Sequence, residues 1–283
     1  MNNLTSKILF SDLDGTFLDH HDYSFERSYE ALNTFLEQGN EVVFVTSKTA
    51  AEVFALFSAL KEKGLKRKLS FIVENGAAIY LSEEVADQVD LDKYDEVSRK
   101  DYLGYIILSF GRADYSSLRS VLKKEVEPRI GKIVYGFGDF SDQALSELTG
   151  LTLEQAALSK KRDCDEPFYI ENGLDADYDF AKQIITDHGL HYHRGGRFAH
   201  ISIKQDKGSA VKLFINIVKQ IAPGIITYGV GDAPNDVSFL QVCDKGFLLS
   251  GSTKVPEVLP SNIRNIEKVG QAGFAEVAKV ISR

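Results

Sequence analysis

The feature that most constrains the fold is an alternation of short apolar strands with helices at both ends of the chain. Near the amino end, strands are predicted over residues 7–11, 41–46, 71–73 and 77–81, with helices over 24–38 and 49–63. Near the carboxyl end, helices are predicted over 208–220 and 235–242, with strands over 225–230 and 245–249. Because a helical crossover makes the two strands that it joins parallel, the pattern predicts βαβ units.

Between these two regions the pattern changes. The order of elements is less regular there, which is typical of an α+β unit. Strands are predicted over residues 105–110, 168–170 and 198–203, and helices over 115–126, near 141–160 and over 177–188. We therefore expect an α/β protein whose Rossmann-like, doubly wound parallel sheet is formed by residues 1–83 and 204–283, with residues 84–203 as an inserted α+β cap domain. The 283 residues leave room for this organisation, since domains usually span ~100–200 residues.

Charge and composition argue against several classes of partner. Lys and Arg number 33 against 41 Asp and Glu, a net charge of −8, so general attraction to nucleic acid is not expected. No apolar run is long enough to cross a membrane, and no secretory signal is evident. The two cysteines lack metal-binding spacing. These observations favour a cytoplasmic protein with no nucleic-acid or membrane partner, and they leave the oligomeric state open.

Four carboxylates follow two predicted strands of the same sheet. Asp12 and Asp14 follow the first strand, and Asp232 and Asp236 follow the strand over 225–230. In open parallel sheets the ligand crevice lies at the carboxyl ends of the strands, so we expect these side chains to converge. Like charges buried together need a counter-ion, and Mg²⁺ prefers oxygen ligands. The pattern therefore predicts a magnesium site, and an acidic crevice that holds Mg²⁺ can accept a phosphate.

The two acids after the first strand suit different tasks. An aspartate beside Mg²⁺ stays ionised and can attack phosphorus to form an aspartyl-phosphate, a role that Asp12 fits. Asp14, aimed outward by the turn at Gly15, could protonate the leaving oxygen and then take a proton from water. The pair predicts a reaction in two displacement steps.

Taken singly, each acidic segment has another interpretation. Residues 12–16 and 231–236 could each form a turn with a helix cap. A calcium loop would need acids or amides at alternate positions, a glycine and a distant glutamate, which residues 231–236 do not supply. A dinucleotide site around Gly229 and Gly231 lacks the third glycine. The joint occurrence at matching strand ends is what favours the metal site.

Two further groups are candidates for phosphate binding. Thr46 and Ser47 end the second strand, where hydroxyl and backbone N–H groups can hold phosphate oxygens, although a helix cap would use the same residues. Lys207 starts a predicted helix, where its charge opposes the helix dipole. That position favours an anion beside Lys207, while a solvated surface lysine is the ordinary alternative.

These segments together resemble the haloacid dehalogenase superfamily of phosphatases. Residues 12–16, Thr46 or Ser47, Lys207 and residues 231–236 occur in the order of its four motifs, and the insert corresponds to its C2-type cap. The resemblance implies that Asp12 is the nucleophile, that Asp14 is the acid/base and a metal ligand through its carbonyl, and that Lys207 binds phosphate. It also implies groups that ligate or orient the metal: Asp232, Asn235 and Asp236.

Within the superfamily, several segments resemble mannosyl-3-phosphoglycerate phosphatases. They are residues 46–52, 71–77, 162–168 and 196–200. General sugar phosphatases of the superfamily usually carry Gly-Arg where this chain has Ser47 and Lys48, which favours the narrower family. The resemblance implies release of phosphate from a glycosyl-phosphoglycerate, which leaves a glycosylglycerate, a compatible solute.

Residues of the insert fit such a substrate. A glyceryl carboxylate beside a phosphate calls for cationic donors, and Arg162, Arg197 and His200 could supply them. Glu166 could accept hydrogen bonds from sugar hydroxyls, although Glu166 and Arg162 are equally compatible with a structural role. Lys48 and Asn75 would line the core side of the substrate.

A second metal is suggested by four histidines within 13 residues, namely His188, His191, His193 and His200. No obvious set of partner ligands accompanies them, so exposed polar residues are the simpler interpretation.

The sequence thus predicts a Mg²⁺-dependent phosphatase that acts on mannosyl-3-phosphoglycerate through an aspartyl-phosphate. Another sugar-phosphate phosphatase or a phosphomutase of the same superfamily is the first alternative, and a non-catalytic metal- or metabolite-binding protein is the second. The sequence does not separate mannosyl from glucosyl substrates, because discrimination between epimers depends on where one or two hydrogen-bonding groups lie.

Overall fold

The computed structural model describes residues 7–20, 22–94, 97–110, 115–194, 197–203, 206–250 and 258–282. Within these ranges the strands are β1 (Lys7–Ser11), β2 (Glu41–Val45), β3 (Phe71–Val73), β4 (Ala78–Ser82), β5 (Val97–Tyr102), β6 (Tyr105–Phe110), β7 (Val134–Gly136), β8 (Asp165–Ile170), β9 (His191–Arg194), β10 (Ala199–Ser202), β11 (Ile226–Gly231), β12 (Lys245–Leu249) and β13 (Ile263–Ile266).

The α-helices of the same ranges are α1 (Glu26–Glu37), α2 (Ala50–Glu62), α3 (Glu83–Ala86), α4 (Tyr115–Val121), α5 (Glu127–Ile130), α6 (Asp142–Thr149), α7 (Leu153–Ser159), α8 (Asp175–Asp187), α9 (Lys207–Val218), α10 (Val237–Leu240) and α11 (Gly270–Ile281). A π-helical turn, Leu122–Val126, follows α4 directly. Short 3₁₀ segments are Glu74–Gly76, Leu91–Lys93, Phe137–Asp139 and Pro234–Asp236. Among the described residues, no helix is long and apolar enough to span a membrane.

The larger sheet has nine strands in the order β13-β12-β11-β1-β2-β3-β4-β6-β5. The strands from β13 to β3 are parallel to their neighbours. Every residue of β2 and β3 is buried, as expected for parallel strands that are covered on both faces. The predicted α/β class with a parallel sheet is confirmed.

The sheet continues beyond β3 in a way that the sequence analysis did not predict. β4 returns antiparallel to β3, because the connection Glu74–Gly76 is too short for a crossover helix. β6 then pairs antiparallel with β4. The strand Tyr105–Phe110, which we expected in the inserted domain, therefore belongs to the larger sheet.

The chain divides into two compact units. The core unit comprises Met1–Ser47, Leu60–Ser109 and Asp206–Arg283, and the insert unit comprises Lys48–Ala59 and Phe110–Gln205. These divisions differ from the expected ones at residues 83/84 and 203/204, since the pairing of β6 with β4 keeps the chain in the core unit as far as Ser109.

The insert unit contains a four-stranded sheet in the order β7-β8-β10-β9, and these strands pair antiparallel. One face of this sheet carries Val134, Phe168, Ile170, Ala199 and Ile201, which pack with α4 and α8 in a hydrophobic core. Because side chains alternate along a strand, the residues between them lie on the opposite face.

Candidate active site

The end of β1 lies beside the end of β11, and this brings two distant acidic segments together. Ser11 is in register with Val230, and the backbone N–H of Asp12 donates to the carbonyl of Val230 at 3.0 Å. Asp232 directly follows β11. The predicted convergence at the carboxyl end of the parallel sheet is therefore found for three of the four acids, Asp12, Asp232 and Asp236.

Three carboxylates meet at this edge. Oxygen atoms of Asp12, Asp232 and Asp236 all lie within 4.8 Å of one another. The Nζ atom of Lys207 donates to Oδ1 of Asp12 at 2.6 Å and to Oδ1 of Asp236 at 2.7 Å. Only 2% of the Lys207 side chain is exposed, so the alternative of a solvated surface lysine is wrong.

The pKa values of this cluster reflect its burial and its accumulated negative charge. Burial, and then the charge of Asp236, raise the pKa of Asp12 well above its ordinary value, although Lys207 opposes the shift. Burial and Asp236 likewise raise the pKa of Asp232 to about 7. For Lys207, burial would lower the pKa, but the charges of Asp12 and Asp236 outweigh burial and raise it, so the ammonium group stays charged.

The chemistry of the cluster fits a divalent cation. One ammonium group balances one of the three carboxylates, which leaves two negative charges in a largely buried site. The oxygen atoms converge closely enough to ligate one ion, and oxygen ligands suit a hard cation such as Mg²⁺.

Asp236 also organises the loop that carries Asp232. Its Oδ2 atom accepts hydrogen bonds from the backbone N–H groups of Asp232 and Ala233, each at 3.0 Å. A Cβ atom at Gly231 would lie 2.6 Å from the Cβ of Asp236, so glycine is required for this approach. The loop is therefore held in place by one of the acids of the cluster itself.

The turn after Asp12 approaches Asp232 just as closely. Gly15 has a φ of +76°, and a Cβ atom there would lie 2.4 Å from Oδ2 of Asp232. The hydroxyl of Thr16 donates to Oδ1 of Asp232 at 3.3 Å. Thr16 was not among the predicted site residues, although its position directly after Gly15 in the acidic turn was the available signal.

Lys207 is positioned by a close backbone contact at the start of α9. The side chain of Asp206 caps this helix by accepting from the backbone N–H of Ser209 at 2.7 Å. Gly76 has a φ of +101°, and a Cβ there would lie 2.2 Å from the carbonyl oxygen of Asp206. The turn after β3 therefore packs against the start of α9 and fixes where the Lys207 side chain begins.

The remaining predicted residues of the core unit lie around the same edge. Asp14 is half-buried in the turn, and its charge contributes to the raised pKa of Asp12. Thr46 follows β2, and its carbonyl accepts from the backbone N–H of Asn75 at 3.0 Å. Asn235 is exposed and donates from Nδ2 to Oδ1 of Asn75 at 3.4 Å. Ser47 is the last residue of this part of the core unit.

In the insert unit, Lys48 and Arg197 take part in helix-end contacts. Lys48 lies 3.5 Å from Glu52, whose carboxylate accepts from the backbone N–H of Thr49 at the start of α2. The exposed Arg197 donates to the carbonyls of Leu148 and Thr149 at the end of α6. Gly196, which belongs to the same sequence motif, lies outside the described residues.

Arg162 and His200 are brought together by a residue that was not predicted as a site residue. Oδ1 of Asp165 accepts from Nη1 of Arg162 at 2.8 Å and from Nδ1 of His200 at 2.9 Å. Asp165 itself is fully buried. The predicted pair of donors therefore shares one buried carboxylate.

Glu166 is separated from this group, and its predicted role with sugar hydroxyls requires correction. Its side chain is fully buried, and its oxygens accept from the hydroxyl of Tyr115, from Arg119 and from the backbone N–H of Gly138 at 2.8–3.0 Å. The alternation of β8 puts Glu166 in phase with Phe168 and Ile170, on the face that packs against α4 and α8. Its carboxylate is used inside the insert unit to hold Arg119.

Three comparisons show which known proteins this chain resembles. Residues 9–105 match the family described as haloacid dehalogenase-like hydrolases. A glucosyl-3-phosphoglycerate/mannosyl-3-phosphoglycerate phosphatase of Methanococcoides burtonii is 33% identical, over 94% of this chain and 94% of its own length. A protein of the same description from Persephonella marina is 34% identical, over 95% and 94%. A solved haloacid dehalogenase-like hydrolase from Bacteroides thetaiotaomicron has a TM-score of 0.62 at 15% identity, over 97% of this chain and 99% of that one, which shows a shared fold.

Proposed function

The chain belongs to the glucosyl-3-phosphoglycerate/mannosyl-3-phosphoglycerate phosphatase family of haloacid dehalogenase-like hydrolases, and from this premise we propose that it releases phosphate from a glycosyl-3-phosphoglycerate. It is a phosphoric monoester hydrolase. The observation that carries the proposal is the convergence of Asp12, Asp232 and Asp236 at one sheet edge, where Lys207 bridges Asp12 and Asp236. We propose mannosyl-3-phosphoglycerate as the first substrate to test, on the strength of the sequence segments 46–52 and 71–77.

We propose that the cofactor is Mg²⁺, held by carboxylates of Asp12, Asp232 and Asp236. The backbone carbonyl of Asp14 and the side chain of Asn235 complete the proposed set of ligating or orienting groups. When bound, the cation supplies positive charge to the phosphate oxygens and to the attacking carboxylate. The raised pKa values of Asp12 and Asp232 support the proposal, since burial and then repulsion by Asp236 disfavour the charged carboxylates, and such a cation would offset both effects.

The proposed reaction has two displacements at phosphorus. In the first, a carboxylate oxygen of Asp12 forms a bond to phosphorus while the bond from phosphorus to the glyceryl oxygen breaks, and Asp14 gives its proton to that oxygen. In the second, a water oxygen attacks the aspartyl-phosphate, Asp14 takes the proton of the water, and the bond from Asp12 to phosphorus breaks. The products are glycosylglycerate and inorganic phosphate, and both aspartates return to their starting state.

Other residues bind the substrate in this proposal. Thr46, Ser47 and Lys207 hold the phosphate, and the ammonium of Lys207 is already fixed beside Asp12. The non-phosphate part of the substrate is recognised by Lys48, Asn75, Arg162, Arg197 and His200. Each of these five keeps the role that its sequence motif suggested, with the exception that is argued for His200 below.

A substrate panel tests the proposal. Phosphate release is measured from mannosyl-3-phosphoglycerate, glucosyl-3-phosphoglycerate, 3-phosphoglycerate and hexose 6-phosphates, first after chelation and then with Mg²⁺ restored. We expect kcat/KM for a glycosylated phosphoglycerate to exceed that for hexose phosphates by about 100-fold or more, since a site built around polar groups rejects ligands that leave those groups unpaired. Equal or better use of hexose phosphates would replace this proposal with a general sugar phosphatase or a phosphomutase.

A further inference from the structure

Asp165, His193 and His200 lie on the face of the insert sheet that is turned away from its hydrophobic core. Phe168 of β8 and Ile201 of β10 belong to the core, and Tyr192 of β9 packs against it. The alternation along each strand therefore places Asp165, His200 and His193 together on the opposite face. This juxtaposition gives the face a polar cluster that the catalytic steps above do not use.

Asp165 is a buried anion that accepts hydrogen bonds from Arg162 and His200. It is fully buried, and the guanidinium of Arg162, 2.8 Å from Oδ1, favours the ionised carboxylate in spite of this burial. A buried carboxylate in this state can only accept hydrogen bonds. The side chains that donate hydrogen bonds to Asp165 are therefore held by a fixed acceptor.

His200 is oriented by two contacts. Its Nδ1 atom lies 2.9 Å and 3.2 Å from the two oxygens of Asp165, so Nδ1 carries the proton of the pair. Its ring stacks on that of His193, with centroids 4.3 Å apart and an interplanar angle of 16°. Among the described residues, Nε2 of His200 has no hydrogen-bond partner, and 13% of the side chain is exposed.

In a neutral imidazole whose Nδ1 is protonated, Nε2 is an acceptor. We propose that Asp165 is a positioning residue that presents Nε2 of His200 as the acceptor for a hydroxyl group of the glycosyl moiety. This inference rests on the proposed function and changes the role of His200, which the sequence suggested as a donor to the glyceryl carboxylate. A single fixed acceptor for a sugar hydroxyl is the kind of group that distinguishes glucosyl from mannosyl substrates.

The same three residues have ligand atoms within 4.8 Å of one another, which raises the possibility of a metal site. The stacked arrangement argues against it. Zinc lies near the plane of each ligating imidazole, along the nitrogen lone pair, and nearly parallel rings present their lone pairs side by side instead of converging on one point. The cationic Arg162 on the same oxygen of Asp165 also opposes a second cation.

Two substitutions test the inference. In His200→Asn, the amide can still donate to Asp165 from about the position of Nδ1, but no atom remains at the position of Nε2. In Asp165→Asn, the amide can donate to Nδ1, which moves the imidazole proton to Nε2 and removes the acceptor. Asp175→Asn is the matched control, because Asp175 lies in the same unit, with its side chain 90% exposed in an ion pair with Arg194.

The readout is kcat/KM on substrates that differ only in the sugar. For both variants we expect a loss of about 5- to 20-fold on mannosyl- or glucosyl-3-phosphoglycerate, and a change of less than about 2-fold on 3-phosphoglycerate and p-nitrophenyl phosphate. Imidazole ¹⁵N spectra should show Nδ1 protonated in the parent protein and Nε2 protonated in Asp165→Asn. If Asp165→Asn fails to fold, His200→Asn and the spectrum of the parent protein decide the question.

Three results would overturn the inference. The first is an equal loss of kcat/KM on 3-phosphoglycerate, which would assign His200 to the glyceryl carboxylate. The second is a ¹⁵N spectrum of the parent protein in which Nε2 of His200 is protonated at pH 8. The third is stoichiometric zinc in the parent protein that His200→Asn no longer retains. Failure of the proposed function looks different, because the parent protein would then prefer hexose phosphates. In that case kcat/KM of the variants is compared on hexose phosphates and on p-nitrophenyl phosphate. A loss on hexose phosphates alone would support the inference, and an equal loss on both substrates would overturn it.

Discussion

The Nζ atom of Lys207 lies 2.6 Å from Oδ1 of Asp12, although 195 residues separate the two in the sequence. Both side chains are almost fully buried, and the cluster around them carries two further carboxylates. The ammonium group is thus the single protein cation, among the described residues, that is hydrogen-bonded to this acidic edge. We therefore expect both the stability and the catalytic activity of the protein to depend on it.

Replacing Lys207 by Met should therefore impair both properties. Removing one partner of a buried ion pair typically costs about 3–5 kcal/mol, and we expect this loss in the free energy of unfolding measured in urea with chelator present. We expect kcat/KM to fall by about 100-fold or more, because the phosphate loses a fixed positive charge. Lys212→Met is the control, since Lys212 lies on the same helix but is exposed. Similar effects of both substitutions would contradict the assignment of Lys207.

Asp12→Asn tests the covalent step. The amide has nearly the shape of the carboxylate, so the fold should remain, but it is not a nucleophile. We expect Mg²⁺-dependent turnover to fall by about 10⁴-fold or more, and no acid-stable phosphate label to remain on the quenched protein. Substantial turnover by Asp12→Asn would rule out Asp12 as the nucleophile. Asp19→Asn, in the same turn region, should leave turnover nearly unchanged.

Asp232→Asn should change stability in opposite directions with and without metal. Burial and Asp236 raise the pKa of Asp232 to about 7, so the ionised form is disfavoured in the folded, metal-free protein. At pH 8 with chelator, we expect the free energy of unfolding of Asp232→Asn to exceed that of the parent protein by about 1–3 kcal/mol, because a repulsive charge is removed. With Mg²⁺ the parent protein should gain stability and the variant much less. Equal stabilisation of both proteins by Mg²⁺ would exclude Asp232 as a ligand.

A comparison of Gly15→Ala with Gly39→Ala distinguishes the effect of backbone strain from the effect of a steric clash in the acidic cluster. Gly15 and Gly39 both have a positive φ, of 76° and 80°, so alanine should strain each by about 1 kcal/mol. At Gly39 nothing lies within 4 Å of the added Cβ, whereas at Gly15 the Cβ would lie 2.4 Å from Oδ2 of Asp232. We therefore expect both variants to lose stability in thermal unfolding, and only Gly15→Ala to lose Mg²⁺ affinity and activity. Loss of activity in Gly39→Ala as well would point to a general effect of strain.

The raised pKa of Glu41, a residue outside the active site, leads us to expect that stability depends on pH. Burial raises the pKa of Glu41 to about 7, in spite of Arg67, whose guanidinium lies 2.6 Å away. Between its ordinary value of 4.5 and about 7, the folded state therefore binds more protons than the unfolded state. Stability must then fall as pH rises through this window, by up to ~1.4 kcal/mol per unit from this group.

Glu41→Gln should remove that slope, because the amide does not titrate and can still accept from Arg67. The free energy of unfolding in urea, measured at pH 5 and pH 8, should differ less between the two conditions in Glu41→Gln than in the parent protein. Glu37→Gln, on the exposed side of α1, serves as the comparison. An unchanged slope in Glu41→Gln would show that Glu41 stays ionised across this range.

The strand-end acids were predictable because two independent constraints act on them. The apolar run before Asp12 and the run before Asp232 both read as buried parallel strands, and the carboxyl ends of such strands meet at one edge. No knowledge of side-chain geometry is needed for that step. The position of Lys207 required more, since it depends on tertiary contacts of its helix, such as the packing of Gly76 against Asp206.

In the insert unit, residues of similar predicted role lie on different faces of the sheet. Arg162, Glu166 and His200 were grouped by their chemistry, yet Glu166 faces the hydrophobic core and the other two meet on Asp165. A signal was available in the alternation of β8, because Glu166 is in phase with Phe168 and Ile170. The strand was predicted to start at Phe168. The alternation of its side chains between the two faces therefore gave no prediction for Glu166, which precedes it.

By itself, the sequence determined the α/β class and the edge at which the carboxylates gather. These follow from hydrophobic periodicity and strand direction, which are local properties of the chain. Only the tertiary structure decided that β6 joins the larger sheet, that Lys207 bridges Asp12 and Asp236, and that Asp165 holds His200. Such contacts join residues far apart in sequence through packing and register, and local patterns do not encode which distant partner satisfies a buried charge.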